Sequence, residues 1–288
     1  MDNIKKNKPF SFCAIIFIYA VAAASAIFIY RALPLDWRLS LFIADVCATV
    51  IVFVFSLIFK NASVYDPYWS VQSIVIVVAF AIAYGLNVLS ALFLAVICAW
   101  GIRLTANWAY TFGNLSCQDW RYTMLREKTD VFYPIINFVG IHLVPTLVVY
   151  GVTLPAAEII LSAPPINAGS VVFLCISVCA FTMQGVADVQ MHKYRKNRNG
   201  TFIRSGLWKY SRHPNYLGEI LMWWGVGLAL VCALPSKWYY LAGAVANTLL
   251  FLFVSIPLAE GRQSHKDGYA EYKKQTRMLL PIYKNQKL

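Results

Sequence analysis

FSFCAIIFIYAVAAASAIFIY, residues 10–30, runs for 21 residues without a charge. Roughly 20 apolar residues in a helix cross the hydrocarbon core of a bilayer. Lys5, Lys6 and Lys8 precede the run, as basic residues precede the core of a signal peptide. The run is too long for such a core, and further apolar runs follow it, so it reads as a first transmembrane helix. Working outward, comparable runs stand at about 39–59, 70–85, 87–110, 133–153, 168–190, 217–233 and 237–258. The expected fold is all-α: a multi-pass transmembrane helical bundle of about eight spans, within a range of seven to nine. Only Tyr84, Gly85 and Leu86 separate the third run from the fourth. Pro145 is expected to kink the fifth. Residues 154–167, with Pro155, Pro164 and Pro165, read as a loop, and Glu260 to Gln275 as a short interfacial helix.

Composition agrees. The chain is 59% hydrophobic and 13% charged, where a soluble domain carries about 25% charged residues. That excess leaves no room for a second soluble domain. A net charge of +12 would suggest nucleic acid on a soluble protein, but here the charge follows topology, and no nucleic-acid partner is expected. With the N-terminus inside and eight spans, the inside segments hold 21 Lys and Arg, and the outside ones only Arg31, Arg38 and Lys237. Both termini are therefore expected to be cytoplasmic. The division expected is an N-terminal transmembrane hairpin, 1–60, and a membrane domain, 61–288, with cytoplasmic loops. The seven cysteines include no C-x-x-C pair and no clustered histidine, so neither a metal site nor a disulfide frame is expected. A bacterial inner membrane suits such a chain, and the sequence does not define an oligomeric state.

Ionisable groups within a bilayer are costly and mark function by default. Here they are Asp45, Arg103, Glu158, Asp188 and Glu219. Asp45 reads as a polar contact between helices, and Arg103 as either a snorkelling cation or a ligand contact. Most of the chemistry lies in residues 184–219, QGVADVQMHKYRKNRNGTFIRSGLWKYSRHPNYLGE. Gln184, Asp188, His192 and Arg195 share one face of a helix leaving the membrane. Arg212, His213, Asn215 and Tyr216 follow a basic loop, with Glu219 one turn on and Trp223 a turn beyond it. Two carboxylates facing Arg, His, Asn and Tyr suit a ligand with anionic and hydroxyl groups. Both NADPH and S-adenosylmethionine answer that description.

The string GLWKYSRHPNYLGE, 206–219, resembles the C-terminal domain of the steroid 5-alpha-reductase (3-oxo-5-alpha-steroid 4-dehydrogenase) superfamily, in its bacterial branch of uncharacterised membrane proteins. Val64-Tyr65-Asp66-Pro67-Tyr68-Trp69, Trp100-Gly101-Ile102-Arg103-Leu104 with Asn107-Trp108, Asp119-Trp120-Arg121-Tyr122 and the ending Tyr269…Tyr272…Leu280-Pro281 extend the likeness over about residues 60–285. The resemblance implies NADPH bound from the cytoplasm and hydride transfer to a C=C conjugated to a carbonyl in an apolar, steroid- or lipid-like substrate. It implies a cofactor set of Asp188, Arg195, Gln184, Asn215, Glu219, Tyr210 and Phe202, joined by Arg212, His213, Tyr216, Arg103 and Asn107. Trp100 stands where the steroid enzymes carry their tyrosine, and a Trp N–H cannot deliver a proton. Asp66, Tyr68 and Tyr122 are the catalytic candidates in its place, and Trp100 and Trp223 the substrate-facing ones.

Two other readings stand beside this one. Isoprenylcysteine carboxyl methyltransferases share R-H-P-x-Y-x-G, which would make the chain a membrane methyltransferase using S-adenosylmethionine, with Glu260 in its site. A non-enzymatic scaffold or transporter is the third reading. The chain shows no repeated halves, which such transporters tend to carry.

Overall fold

The computed structural model describes residues 2–197 and 202–281. Its fold is all-α, a multi-pass helical bundle. Among the described residues there is no strand, and eight helical segments are long and apolar enough to cross a membrane. The α-helices of seven residues or more are α1 Lys8–Ala32, α2 Trp37–Phe59, α3 Tyr68–Tyr84, α4 Val88–Thr111, α5 Trp120–Thr129, α6 Val144–Ser162, α7 Ala168–Asn197, α8 Pro214–Ala233, α9 Leu241–Leu250, α10 Ile256–Gln263 and α11 Tyr269–Gln275. The chain divides into two compact units, Met1–Leu86 with Ile97–Leu161, and Asn87–Val96 with Ser162–Leu288.

Local chemistry sets the boundaries. Asp36 caps α2 by accepting from Arg38 N–H at 2.9 Å. At its other end Lys60 takes a left-handed conformation, and Lys5 Nζ donates to Phe59 O at 2.8 Å. The narrow break between α3 and α4 is real: Gly85 stands at φ +78°, and Asn87 and Ser90 cap each other at 2.8 and 2.9 Å. Gly85 suits that conformation because it has no Cβ to clash.

Two expectations change. The fifth span does not end at 153: α6 runs on to Ser162 with Pro155 inside it. A membrane helix tolerates an internal proline because neighbouring groups re-satisfy the freed carbonyl. The predicted interfacial helix divides into α10 and α11, separated at Gly268, φ +77°. The kink expected at Pro145 takes the form of a π-helical turn, Asn137–Leu143, and a second such turn, Phe251–Ser255, stands before Pro257. Proline donates no hydrogen bond and its ring presses on the carbonyl four residues back, so the turn before it widens.

In the first unit a polar seam joins α2, α3 and α6. Thr49 and Thr146 hydroxyls meet at 2.8 Å, Tyr65 reaches Thr146 at 2.7 Å, and Ser73 reaches Thr153 at 2.8 Å. Asp45 is the interhelical contact expected of it: its Oδ1 accepts from Tyr68 O–H at 2.8 Å, and Gln72 Nε2 donates to Oδ2. Glu158 is 4% exposed and binds Arg38 Nη2 at 2.9 Å. Arg38→Ala would take this cation away from a buried carboxylate. Because the Arg38 side chain is one-third exposed, the expected cost is about 2 kcal/mol rather than the ~3–5 of a fully buried pair. Thermal unfolding in detergent checks it, and an unchanged midpoint would mean that the pair does not contribute.

Candidate functional site

The second unit is organised on the antiparallel pair α7 and α8, and small residues set their distance. A Cβ on Gly218 would lie 2.6 Å from Ala180 O and 2.8 Å from Gln184 Cβ. A Cβ on Gly225 would lie 2.2 Å from Ser177 Oγ. Close backbone approach through small residues is how membrane helices associate where no hydrophobic effect drives them. Ser177 Oγ donates to Met222 O at 2.9 Å and Ser170 Oγ to Ala229 O at 2.6 Å.

That approach places Gln184 against Glu219. The Glu219 side chain is buried, with Oε2 accepting from Gln184 Nε2 and Oε1 from Trp223 Nε1, both at 2.8 Å. Two neighbouring acceptors are buried with no hydrogen-bond donor among the described residues: Gln184 Oε1 and Asn215 Oδ1. Asn215 lies one turn before Glu219 on α8, and Asp188 one turn after Gln184 on α7, so antiparallel packing brings these two to the same level. Asp188 and Arg195 both act electrostatically on His192. Arg195 is exposed in the last turn of α7.

The loop residues form a second cluster around Glu260. Arg212 Nε and Nη2 bind its Oε1 at 2.7 and 2.6 Å, His213 Nε2 reaches the same oxygen at 3.3 Å, and Lys273 Nζ binds Oε2 at 2.7 Å. Arg212 Nη1 also donates to Thr276 O, and Arg212 N–H to Arg277 O at 3.0 Å. Tyr216 stacks on His213, with planes 4° apart. Arg212, His213 and Tyr216 thus fasten the start of α8 to the C-terminal segment. Phe202 is buried against Tyr269 and Tyr272, with Arg204 over its ring. Tyr210 is half exposed. Burial raises the Tyr272 phenol well above its ordinary pKa, so it stays protonated and donates to Trp208 O.

Gln190 and Lys273 were not singled out from the sequence. Gln190 Oε1 accepts from Leu207 N–H at 2.9 Å, holding the loop that ends at α8. Gln190 lies six residues beyond Gln184, and no motif marks it.

The first unit carries the remaining candidates. Tyr122 O–H donates to Asp66 Oδ1 at 2.7 Å, beside the Asp119–Arg121 pair at 2.8 Å. Tyr68 instead joins Asp45. Trp100 is 1% exposed, and Arg103 and Asn107 are half-buried on α4. Among the described residues no group of His, Cys, Asp and Glu is arranged to hold a metal ion.

A family model described as "Protein of unknown function (DUF1295)" matches residues 52–276. The chain belongs to the DUF1295 family. That match spans both clusters around α7 and α8 and the Asp66–Tyr122 pair. An uncharacterized protein, C594.04c, of Schizosaccharomyces pombe (strain 972 / ATCC 24843) is 26% identical over 220 residues, covering 66% of this chain. The chain spans 60% of the length of that relative. No solved structure matches.

Proposed function

We propose that this DUF1295 protein is a membrane oxidoreductase that binds NADPH on the α7–α8 pair and reduces a C=C bond in an apolar substrate. One observation carries the reading: Gln184 Oε1 and Asn215 Oδ1 are buried acceptors without donors, beside a carboxylate already held by Gln184 and Trp223. A buried acceptor without a donor costs about 1–3 kcal/mol. A ligand that donates there, through a carboxamide NH₂ or ribose hydroxyls, would recover that cost. Asp188 adds an acceptor suited to hydroxyls, and exposed Arg195 a cation suited to phosphate. The family's relation to the steroid 5-alpha-reductase superfamily supports the same reading.

When bound, NADPH would supply the hydride. The chain's own residues would hold the cofactor. Glu219 accepts from Gln184 and Trp223, which leaves Gln184 Oε1 as the open end of that amide. Tyr122, hydrogen-bonded to Asp66, and buried Trp100 belong to the first unit and take no step in this reading.

The methyltransferase reading needs Glu260 as a ligand contact, yet Arg212, His213 and Lys273 already occupy both its oxygens. The two readings separate in one measurement. NADPH should raise the thermal midpoint of the purified protein by several degrees while S-adenosylmethionine leaves it unchanged. Asn215→Ala and Glu219→Gln should each reduce the NADPH shift at least tenfold in apparent affinity. Stabilisation by S-adenosylmethionine alone would replace the proposal with a methyltransferase, and response to neither would remove the cofactor site.

A further inference from the structure

The first unit contains a groove with no part in the reading above. It is bounded by α1, α2 and α3, encloses about 100 Å³ and is open on one side. Alanines clear the space: Ala22 and Ala26 on α1, Ala44 and Ala48 on α2, Ala79 and Ala83 on α3 all line it. From Tyr19 to Arg31 the α1 wall is about 18 Å long, at 1.5 Å per residue. The walls are apolar except at the two ends. Arg31, Tyr30 and Tyr84 stand at the end where α1 and α3 finish, and Asp45, Tyr68 and Gln72 stand deep inside.

The deep end is chemically specific. Asp45 takes Tyr68 O–H on one oxygen and the Gln72 amide N–H on the other. The Tyr19 hydroxyl, also on the wall, is spent on Val64 O at 3.0 Å. Gln72 is 5% exposed, and with its nitrogen turned to Asp45 its Oε1 is left with no donor among the described residues. The carboxylate fixes that orientation, since the reverse amide would set oxygen against oxygen. Gln72, which carries this unmatched acceptor, is thus one of the residues lining the groove.

We propose that this groove takes the hydroxyl end of an apolar membrane alcohol, whose hydroxyl donates to Gln72 Oε1 while its apolar body leaves by the open side. A hydroxyl fits because it supplies one donor and brings no charge to a site 8 residues from the α2 start at Trp37. Both Asp45 oxygens already take donors from Tyr68 and Gln72, so an ammonium would find no open carboxylate oxygen, and a carboxylate or phosphate would be repelled. The inference rests on the first unit alone and does not depend on NADPH binding.

The test uses full-length protein in phosphatidylcholine vesicles with three photoactivatable probes of equal length: a diazirine alcohol, its methyl ether and the alkane. Cross-linked sites are mapped by peptide mass spectrometry. The alcohol should label α1–α3 wall residues about tenfold more than the ether or alkane, the contribution expected of one buried hydrogen bond. Gln72→Met should level the three probes, and Ala26→Trp, which fills the groove without touching the polar end, should remove labelling of the walls while the protein still elutes as a folded species. Equal labelling by all three probes in the unaltered protein, or a preference that survives Gln72→Met, would overturn the proposal. So would unchanged wall labelling in a folded Ala26→Trp protein, because the probe would then be outside the groove.

Discussion

Glu260→Ala should lower the stability of the second unit by about 3–5 kcal/mol, the cost of stranding a buried cation. The side chains of Arg212 and Glu260 are 7% and 12% exposed, so neither can be rescued by water. Lys273 is 55% exposed, and Lys273→Ala should cost no more than about 1 kcal/mol. The pair can be told from a ligand site by a double-mutant cycle. Arg212→Met with Glu260→Met together should cost less than the sum of the single changes, because no charge is then left alone. Thermal unfolding in detergent without any ligand reads the whole cycle. A Glu260→Ala protein as stable as the original would show that this cluster fastens nothing.

Gly218→Ala should cost about 1–3 kcal/mol and abolish ligand binding on the α7–α8 pair. The added methyl would meet the Ala180 carbonyl oxygen at 2.6 Å, and a backbone atom in a packed helix cannot swing away as a side-chain tip can. The helices must part, which lengthens the hydrogen bond from Gln184 to Glu219. Gly261→Ala is the matched control. Nothing lies within 4 Å of its Cβ position, and replacing a helical glycine should stabilise by about 0.5–1 kcal/mol. Opposite signs for the two substitutions, measured by unfolding and by ligand titration, are the expected result. A Gly218→Ala protein with full binding would mean that the pair does not need this approach.

The eight spans were legible because lipid demands long uninterrupted apolar runs, and the chain supplies them with little ambiguity. Residues 154–162 were misread because proline ends helices in water, and Pro155 sits inside one here. Glu219 and Trp223 were legible as neighbours one turn apart on one face, but Gln184 was read with Asp188, His192 and Arg195 on another helix, and its bond to Glu219 crosses between the two. The convergence of Arg212, His213 and Lys273 on Glu260 joins residues far apart in sequence. No local period predicts it. The open oxygen of Gln72 was also invisible, since only the position of Asp45 decides which way the amide faces.

The widened turn at Phe251–Ser255 bears on how relatives of this chain should be aligned. A turn closed from residue i to i+5 holds one residue more than an α-helical turn. It therefore absorbs a single insertion while the stretches on either side keep their facing. Upstream, Thr248 accepts from Trp224 Nε1 at 2.9 Å, and downstream Glu260 receives its cations. A family member one residue shorter in this segment can present both residues as here on an ordinary helix. A one-residue gap between 250 and 256 is thus a length change this segment can accommodate, and an ungapped match to such a chain would set the wrong residues opposite Trp224 or Arg212.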